Sequence, residues 1–182
     1  MRPHRGRNCG TGGLSPCVIF ASSAKNHLIC PKTKHMEEIL DFIWKNRDLA
    51  LATVGEDGKP KVRVFQVMGI ESGRLLFATG PHKRVYAELQ GNPAVEILAF
   101  RGDVSVRISG CARFVDDADT QERIYRGNEI LQRLYSRAQD LAYFSVDIEN
   151  LDYYDLATNP PTFRHYDGAT GGFRVLDPFG RH

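Results

Sequence analysis

Residues 49–100 decide the fold, and they read LALATVGEDGKPKVRVFQVMGIESGRLLFATGPHKRVYAELQGNPAVEILAF. Short apolar runs in this stretch are separated by turn signals, among them the Asp57-Gly58 pair. The segment from Lys61 to Val67 alternates strictly, as a strand with two different faces does. One face carries Val62, Val64 and Gln66, and the other carries Lys61, Arg63, Phe65 and Val67.

The same succession of strands and tight turns continues beyond this segment. A short helix is predicted from His82 to Gln90, ended by Gly91-Asn92-Pro93. Gly110 falls in the middle of the fifth strand and predicts a bulge or a barrel corner. The predicted strands are Leu49 to Val54, Lys61 to Val67, Arg74 to Thr79, Ala94 to Phe100, Val104 to Val115, Tyr143 to Ile148 and Asp152 to Leu156.

Helical periodicity flanks these strands. Residues 36–47 predict one helix, with acids in its first turn. Residues 116–138 predict a second, with Asp119 and Thr120 as candidate caps and Gly127 as a break. About seven strands so close together favour antiparallel pairing over a doubly wound sheet. We therefore predict a mainly β (α+β) fold, an antiparallel Greek-key split β-barrel with a few flanking helices. The buried stripe of the second helix is expected at Ile124, Leu131 and Leu134.

The chain of 182 residues divides into three segments. Residues 1–35 contain no acid and show no periodicity, which predicts a disordered leader or extension. A signal peptide is the alternative, because arginines precede a short apolar patch there. Residues 36–158 form the predicted globular domain. Residues 159–182 form a tail, and its glycine-rich part from Tyr166 onward predicts a loop.

Charge and hydropathy argue against two classes of partner. The net charge is +2, but residues 36–182 carry 18 basic and 22 acidic residues. This part of the chain therefore lacks the basic stripe that is typical of a nucleic-acid-binding protein. No apolar stretch approaches the roughly 20 residues that a membrane span needs. We expect neither nucleic acid nor a membrane as partner.

The number of cysteines indicates the redox state of the cellular compartment. Cys111 is the one cysteine after residue 30, and a domain with one thiol predicts a reducing cytoplasm. Cys9, Cys17 and Cys30 fit no paired Cys-x-x-Cys metal site. A metal site that uses His27 and His35 stays open as an alternative.

One group of residues indicates chemistry. A phosphate group binds best where charged donors, a hydroxyl and free helix N-terminal N–H groups meet. Thr79, Lys83 and Arg84 supply these from one strand-to-helix turn, and Lys61 and Arg63 add cations from the second strand. The alternative is a solvated cluster of surface cations, since exposed charges are common. The sequence contains no GxGxxG, P-loop, HExxH or GxSxG motif.

The opening stretch, followed by VSVRISGCARFVDD at residues 104–117, resembles the pyridoxamine 5'-phosphate oxidase-like family of FMN-binding split barrels. The features occur in the family's order: a strand ending in ATV, a D-G turn, GKPKVRVFQV, LLFATG, a basic helix start, NPAVEI and a strand ending in VDD. The resemblance covers roughly residues 36–157.

The resemblance implies a homodimer that holds FMN in a groove at the subunit interface. Lys83 and Arg84 at the helix start would hold the phosphate together with Lys61, and Thr79 would lie near the phosphate or the ring edge. The strand from Arg63 to Gln66 would run beside the isoalloxazine ring and ribityl chain. The implied cofactor contacts are Lys61, Arg63, Val64, Phe65, Gln66, Thr79, Lys83, Arg84 and Ser105.

Family members that oxidise pyridoxamine phosphate end in a segment with a tryptophan and an Arg-x-His that read the substrate. Here Trp44 is the only tryptophan, and the end of the chain, GGFRVLDPFGRH, does not match. The closer likeness is to the general branch that includes nitroimidazole-resistance, nitroreductase-like proteins. It implies an FMN-dependent oxidoreductase that acts on a small organic substrate, with no side chain assigned as catalytic. A non-catalytic module that binds flavin or haem is the alternative.

Overall fold

A computed structural model describes residues 31–177, without the side chains of residues 31–33. The chain forms nine strands, four α-helices and one short 3-10 helix within these residues. In chain order they are α1 Pro31–Lys45, β1 Asp48–Val54, β2 Pro60–Gln66, β3 Gly69–Glu71, β4 Arg74–Thr79, α2 Arg84–Gly91, β5 Ala94–Arg101, β6 Val104–Phe114, α3 Ala118–Arg126, α4 Glu129–Leu134, the 3-10 turn Ala138–Asp140, β7 Ala142–Asp155, β8 Thr162–Asp167 and β9 Gly172–Val175.

The strands form one antiparallel sheet that curls into a half-barrel. Their order is β2-β1-β5-β6-β7-β4-β3, and β8 and β9 extend the sheet from β7. The 14-residue β7 organises this arrangement, because β4 pairs with its first half and β8 with its second half. The predicted antiparallel barrel with a few helices is confirmed.

The core fills the concave side of the sheet. Phe77 on β4 stacks on Phe144 of β7 with ring centroids 5.2 Å apart, and Phe65 of β2 meets Phe77 edge-on at 6.0 Å. Ile39 and Ile43 of α1 are buried in the same cluster, so this helix covers one part of the sheet. Burying each such side chain stabilises the fold by roughly 1.5–3 kcal/mol.

Gly110 permits the bend in β6. The register with β7 shifts between Ser109 and Gly110, which confirms the predicted bulge. A Cβ atom at Gly110 would lie 2.1 Å from the backbone oxygen of Asp147, so a larger residue could not take this position without movement of β7.

The C-terminal part differs from the prediction. Residues Thr162–Asp167 and Gly172–Val175 form the β8–β9 hairpin, where the glycine-rich sequence predicted a loop. Its glycines mark the hairpin turn, while Tyr166 and Phe173 pack against the core. The two strands predicted between residues 143 and 156 are one continuous strand, β7. The short β3 was not among the predicted strands.

The helices also differ in detail. The side chain of Asp117, rather than that of Asp119 or Thr120, caps α3 by accepting a 2.8 Å hydrogen bond from the Thr120 N–H. The predicted break at Gly127 is confirmed, since α3 ends there. Ile124 and Leu131 are buried as predicted, but Leu134 is 63% exposed because it is the last residue of α4.

Helix α1 begins at Pro31, five residues before the predicted start. The predicted boundary between residues 35 and 36 therefore falls inside a helix, and the imidazole of His35 lies 3.1 Å from the Arg164 guanidinium of β8. Predictions about residues 1–30, including Cys9, Cys17 and Cys30, lie outside the described residues. The expectation of a reducing cytoplasm, which rested on Cys111, stays a prediction.

No helix within residues 31–177 is long and apolar enough to cross a membrane.

Candidate functional site

A cavity of about 710 Å³ lies between the β1–β2 turn, strand β2 and helix α2. We call it the cation cavity, because all four cations that the sequence singled out line it. Its lining residues are Gly55, Glu56, Asp57, Lys61, Arg63, Lys83, Arg84, Val85, Ala87 and Glu88.

The alternation of β2 brings two of these cations to the cavity. Phe65 and Val67 point into the apolar core, and Arg63 and Lys61 occupy the next positions on the same face of the chain. The concave face of the strand therefore changes from apolar to cationic toward the β1–β2 turn. This separation of faces follows from the period of two in the sequence.

Arg63 is held by a buried polar network. Its Nη2 atom lies 2.8 Å from Glu88 Oε2, and its Nη1 atom donates a 2.7 Å hydrogen bond to Thr53 Oγ1. The Thr53 hydroxyl donates in turn to Glu88. Because the Glu88 side chain is only 8% exposed, its charge depends on these partners for compensation.

Sequence reasoning missed Glu88 and Thr53. The sequence contained a signal for Glu88, since it stands three residues after Val85 and directly before Leu89, on the face of α2 that is buried. A charged residue on an apolar helical stripe indicates a paired group. Thr53 carried no such signal, because a threonine in a strand is ordinary.

Lys61 is paired at the mouth of the cavity. Its Nζ atom donates a 2.9 Å hydrogen bond to Asp57 Oδ2, and this bond, together with one from the backbone N–H of Lys59, lowers the pKa of the Asp57 carboxyl. Gly55 makes room for the contact, because a Cβ there would lie 2.5 Å from Lys61 Cε. Two of the four cations are thus neutralised by acids of the same cavity.

Lys83 and Arg84 differ from Lys61 and Arg63 because they have no acid partner within residues 31–177. Both side chains are exposed, and neither forms an ion pair or side-chain hydrogen bond with any residue between 31 and 177. Lys83 is the N-cap of α2, and no side chain caps this helix end. The N–H of Tyr86 bonds to the Lys83 carbonyl, so the backbone donors left for an anion beside these two positive charges are the N–H groups of Arg84 and Val85.

Thr79 has a buried hydroxyl without a partner. The residue is 3% exposed, at the end of β4, four residues before the N-cap of α2. Its Oγ1 atom accepts or donates no hydrogen bond within the described part of the chain. Such a group costs about 1–3 kcal/mol and calls for an explanation such as water or a ligand. Thr79 is not among the lining residues of the cation cavity.

The other predicted contacts lie elsewhere. Phe65 packs in the core, 5.8 Å from the Phe144 ring. Val64 and Gln66 lie on the convex face of the sheet, where Gln66 bonds to Arg47 and Asp48. Ser105 lies on the same convex face, in register with Phe100. The structure thus gathers Lys61, Arg63, Lys83 and Arg84 in one cavity, and it places Val64, Gln66 and Ser105 on the opposite side of the sheet.

An apolar strip covers part of this convex face. Val64, Ala50 and Leu98 lie side by side on β2, β1 and β5. Four members of the strip are unusually exposed for apolar side chains: Val62 at 66%, Val64 at 74%, Leu98 at 39% and Phe100 at 69%. Neighbouring exposed apolar residues of this kind mark interaction surfaces.

Comparison with known proteins gives a consistent relationship. Residues 35–155 match the family model described as pyridoxamine 5'-phosphate oxidase. A pyridoxine/pyridoxamine 5'-phosphate oxidase of Chromobacterium violaceum is 35% identical over 82 residues, which are 38% of each chain. One of Methylibium petroleiphilum is 29% identical over 135 residues, covering 70% of this chain and 61% of that protein. The match thus spans less than two thirds of the curated relatives.

Several solved structures have a fold similar to that of this chain. A pyridoxamine 5'-phosphate oxidase-related, FMN-binding protein from Nostoc punctiforme has a TM-score of 0.67 at 16% identity, over 84% of this chain and all of that one. A NimC/NimA family protein from Clostridium acetobutylicum has a TM-score of 0.60 at 20% identity, over 72% and 93% of the two chains. At these identities the likeness establishes the shared barrel architecture.

Proposed function

The chain belongs to the pyridoxamine 5'-phosphate oxidase family, and from this premise we propose that it is an FMN-binding oxidoreductase for a small organic substrate. The observation that carries the proposal is the pair Lys83 and Arg84, two cations without an acid partner among residues 31–177, at the start of α2 in a cavity of about 710 Å³. A cavity of this size is in the range of small-molecule sites.

The donor set fits a phosphate group. The pairs Lys61–Asp57 and Arg63–Glu88 are internally neutralised and Glu56 adds one negative charge at the β1–β2 turn, so the positive side of the cavity is at α2. A phosphate there would gain charge-assisted bonds from Lys83 and Arg84 and hydrogen bonds from first-turn N–H groups. The unpartnered hydroxyl of Thr79 precedes the same turn and is a further candidate donor.

The remaining contacts implied by the family resemblance require a second subunit. Val64, Gln66 and Ser105 lie on the convex face, away from the cation cavity of their own chain. In a homodimer joined through the apolar strip, they would face a cofactor held by the partner subunit. The exposure of Val62, Val64 and Phe100 supports this arrangement.

FMN, when bound, would supply one- and two-electron redox chemistry. The protein's contribution would be binding and electrostatics. Lys61 and Arg63 would place N–H donors beside the cofactor, and hydrogen-bond donors of this kind favour its anionic reduced form. Glu88 would fix the direction of the Arg63 guanidinium through the contact at 2.8 Å.

The test begins with the absorption spectrum of the purified protein. Bound flavin gives absorption bands at about 370 and 450 nm, whereas haem gives a Soret band. Anaerobic reduction by a nicotinamide nucleotide, followed by reoxidation with a nitroaromatic or quinone acceptor, tests turnover. A flavin spectrum without reduction by any donor would favour a non-catalytic flavin module, and a Soret band would favour a haem-binding module.

A further inference from the structure

A second cavity, of about 490 Å³, lies between α1, β3 and the junction of α3 and α4. It shares no lining residue with the cation cavity. Its floor is apolar and consists of Met68, Ile70, Leu76 and Ile124. We call it the Trp44 cavity, because the indole of Trp44 forms one wall and is 43% exposed. A half-exposed indole over an apolar floor is suited to contact with a flat ring.

The charges around this cavity are unbalanced. At its rim Arg123 and Glu71 form a two-point ion pair, with Arg123 Nη2 3.2 Å from Glu71 Oε2, and cancel each other. The positive charge of Arg47, by contrast, is not compensated by an acid among the described residues. Its guanidinium bonds only to neutral amide oxygens, at 3.2 Å to Gln66 and 3.4 Å to Asn128, and no acid within residues 31–177 pairs with it.

Arg47 does not line the cavity, but its guanidinium lies over the Trp44 ring that forms the wall. Its Cζ atom is 4.7 Å from the centroid of the Trp44 ring, and its partner Asn128 also lines the cavity. The half-buried guanidinium is therefore a positive charge beside an apolar, aromatic-walled space. This combination favours a ligand with one negative charge and one planar apolar ring.

We propose that the Trp44 cavity binds a small planar aromatic monocarboxylate. The ring lies against Trp44 and the apolar floor, and the carboxylate is attracted by Arg47. A sugar phosphate would leave polar hydroxyls without partners on this floor, and a neutral ring would leave Arg47 uncompensated. The site is separate from the proposed flavin site, and the proposal does not depend on flavin binding.

The experiment uses the single tryptophan of the chain. Because Trp44 forms the cavity wall, its fluorescence reports a ring that binds there. The full-length protein is titrated with benzoate and, separately, with benzamide, which has the same shape without the charge. We expect a saturable change in emission with benzoate and at least tenfold weaker binding of benzamide, because benzamide lacks the Coulomb attraction to the nearby Arg47.

Two matched variants assign the charge. Arg47→Gln should weaken benzoate binding about tenfold and abolish its advantage over benzamide. Lys45→Gln, two residues before Arg47, makes the same change in net charge, but the Lys45 side chain is paired with Asp41, so benzoate binding should not change. Lys83→Ala with Arg84→Ala should also leave it unchanged. The proposal is overturned by a non-saturating benzoate titration, by equal affinity for benzamide, or by a matching effect of both glutamine variants.

Discussion

At the residue scale, the proposed phosphate contacts are the first to test. Lys83→Ala combined with Arg84→Ala removes the two cations of the cation cavity that have no acid partner among residues 31–177. Each charge-assisted bond contributes roughly 1.5–3 kcal/mol, so we expect FMN affinity to fall by about two to four orders of magnitude. The loss is measured by titrating the cofactor-free protein with FMN at two salt concentrations, and the salt dependence should be smaller in the variant.

A matched control removes two cations elsewhere. Lys34 and Arg133 are exposed and make no ion pair with described residues, so Lys34→Ala with Arg133→Ala changes the net charge equally. FMN affinity should stay within about twofold of the wild type. If both double variants weaken binding equally, only the overall charge matters and α2 is not the phosphate site.

Glu88 is the residue whose loss should affect the fold of the site. Glu88→Ala leaves the partly buried Arg63 guanidinium without its carboxylate and removes the hydrogen bond from Thr53. We expect a destabilisation of about 1–3 kcal/mol in urea unfolding, since uncompensated buried charges are costly. Glu37→Ala, an exposed helical glutamate, should have little effect. Equal stability of Glu88→Ala and wild type would show that the buried network contributes nothing.

At the element scale, Asp152 joins three strands. It lies on β7 opposite Arg107 of β6 and His165 of β8, and His165 Nδ1 is 2.7 Å from its carboxylate. Burial alone would raise the pKa of this carboxyl, but the hydrogen bonds from His165 and Arg107 outweigh burial and lower it. The ionised form is therefore favoured by folding, and its contribution is present above the ordinary value of 3.8 and lost as the pH falls below it.

This linkage predicts a pH effect on unfolding. The free energy of unfolding of the wild type should decrease as the pH falls toward the depressed pKa of Asp152. Asp152→Asn should be less stable near neutral pH, and its free energy of unfolding should decrease less toward acid pH. The measurement is the free energy of unfolding in urea from pH 7 down to pH 3, at about one-unit steps. Asp103→Asn, in the exposed β5–β6 turn, should follow the wild-type curve. Parallel curves for Asp152→Asn and wild type would contradict the linkage.

The elements that the sequence predicted correctly are those with a clear period. The alternation of residues 61–67 predicted both β2 and the face that carries Lys61 and Arg63, and Gly110 predicted the bulge. The β8–β9 hairpin was missed, because its glycines resembled a loop and its pairing with β7 is non-local. The network of Arg63, Glu88 and Thr53 was missed for the same reason, since it joins β2, α2 and β1 across the fold.

At the scale of the whole molecule, the curled sheet leaves its convex face partly uncovered. The side chains of the apolar strip on β2 and β5 are more exposed to water than is favourable for apolar groups. The proposed cofactor contacts Val64, Gln66 and Ser105 lie on the same face. A specific dimer buries about 1,200–2,000 Å² in total, more than four side chains supply, so the strip would be the centre of a larger interface. The outward-facing positions of the proposed cofactor contacts and the exposed strip thus lead to the same prediction, a homodimer.

Charges placed on this strip should separate the subunits. Val64→Lys with Phe100→Lys puts two like charges on each copy at positions that are 74% and 69% exposed, so the folded monomer tolerates them. We expect a homodimer for the wild type and a monomer for the variant in analytical ultracentrifugation, with weaker FMN binding because the site loses its partner residues. Leu134→Lys with Leu156→Lys makes the same change at residues that are 63% and 58% exposed and lie outside the strip, so the dimer should survive. A monomeric wild type, or a Val64 and Phe100 variant that stays dimeric, would place the interface elsewhere and remove the support for cofactor contacts across it.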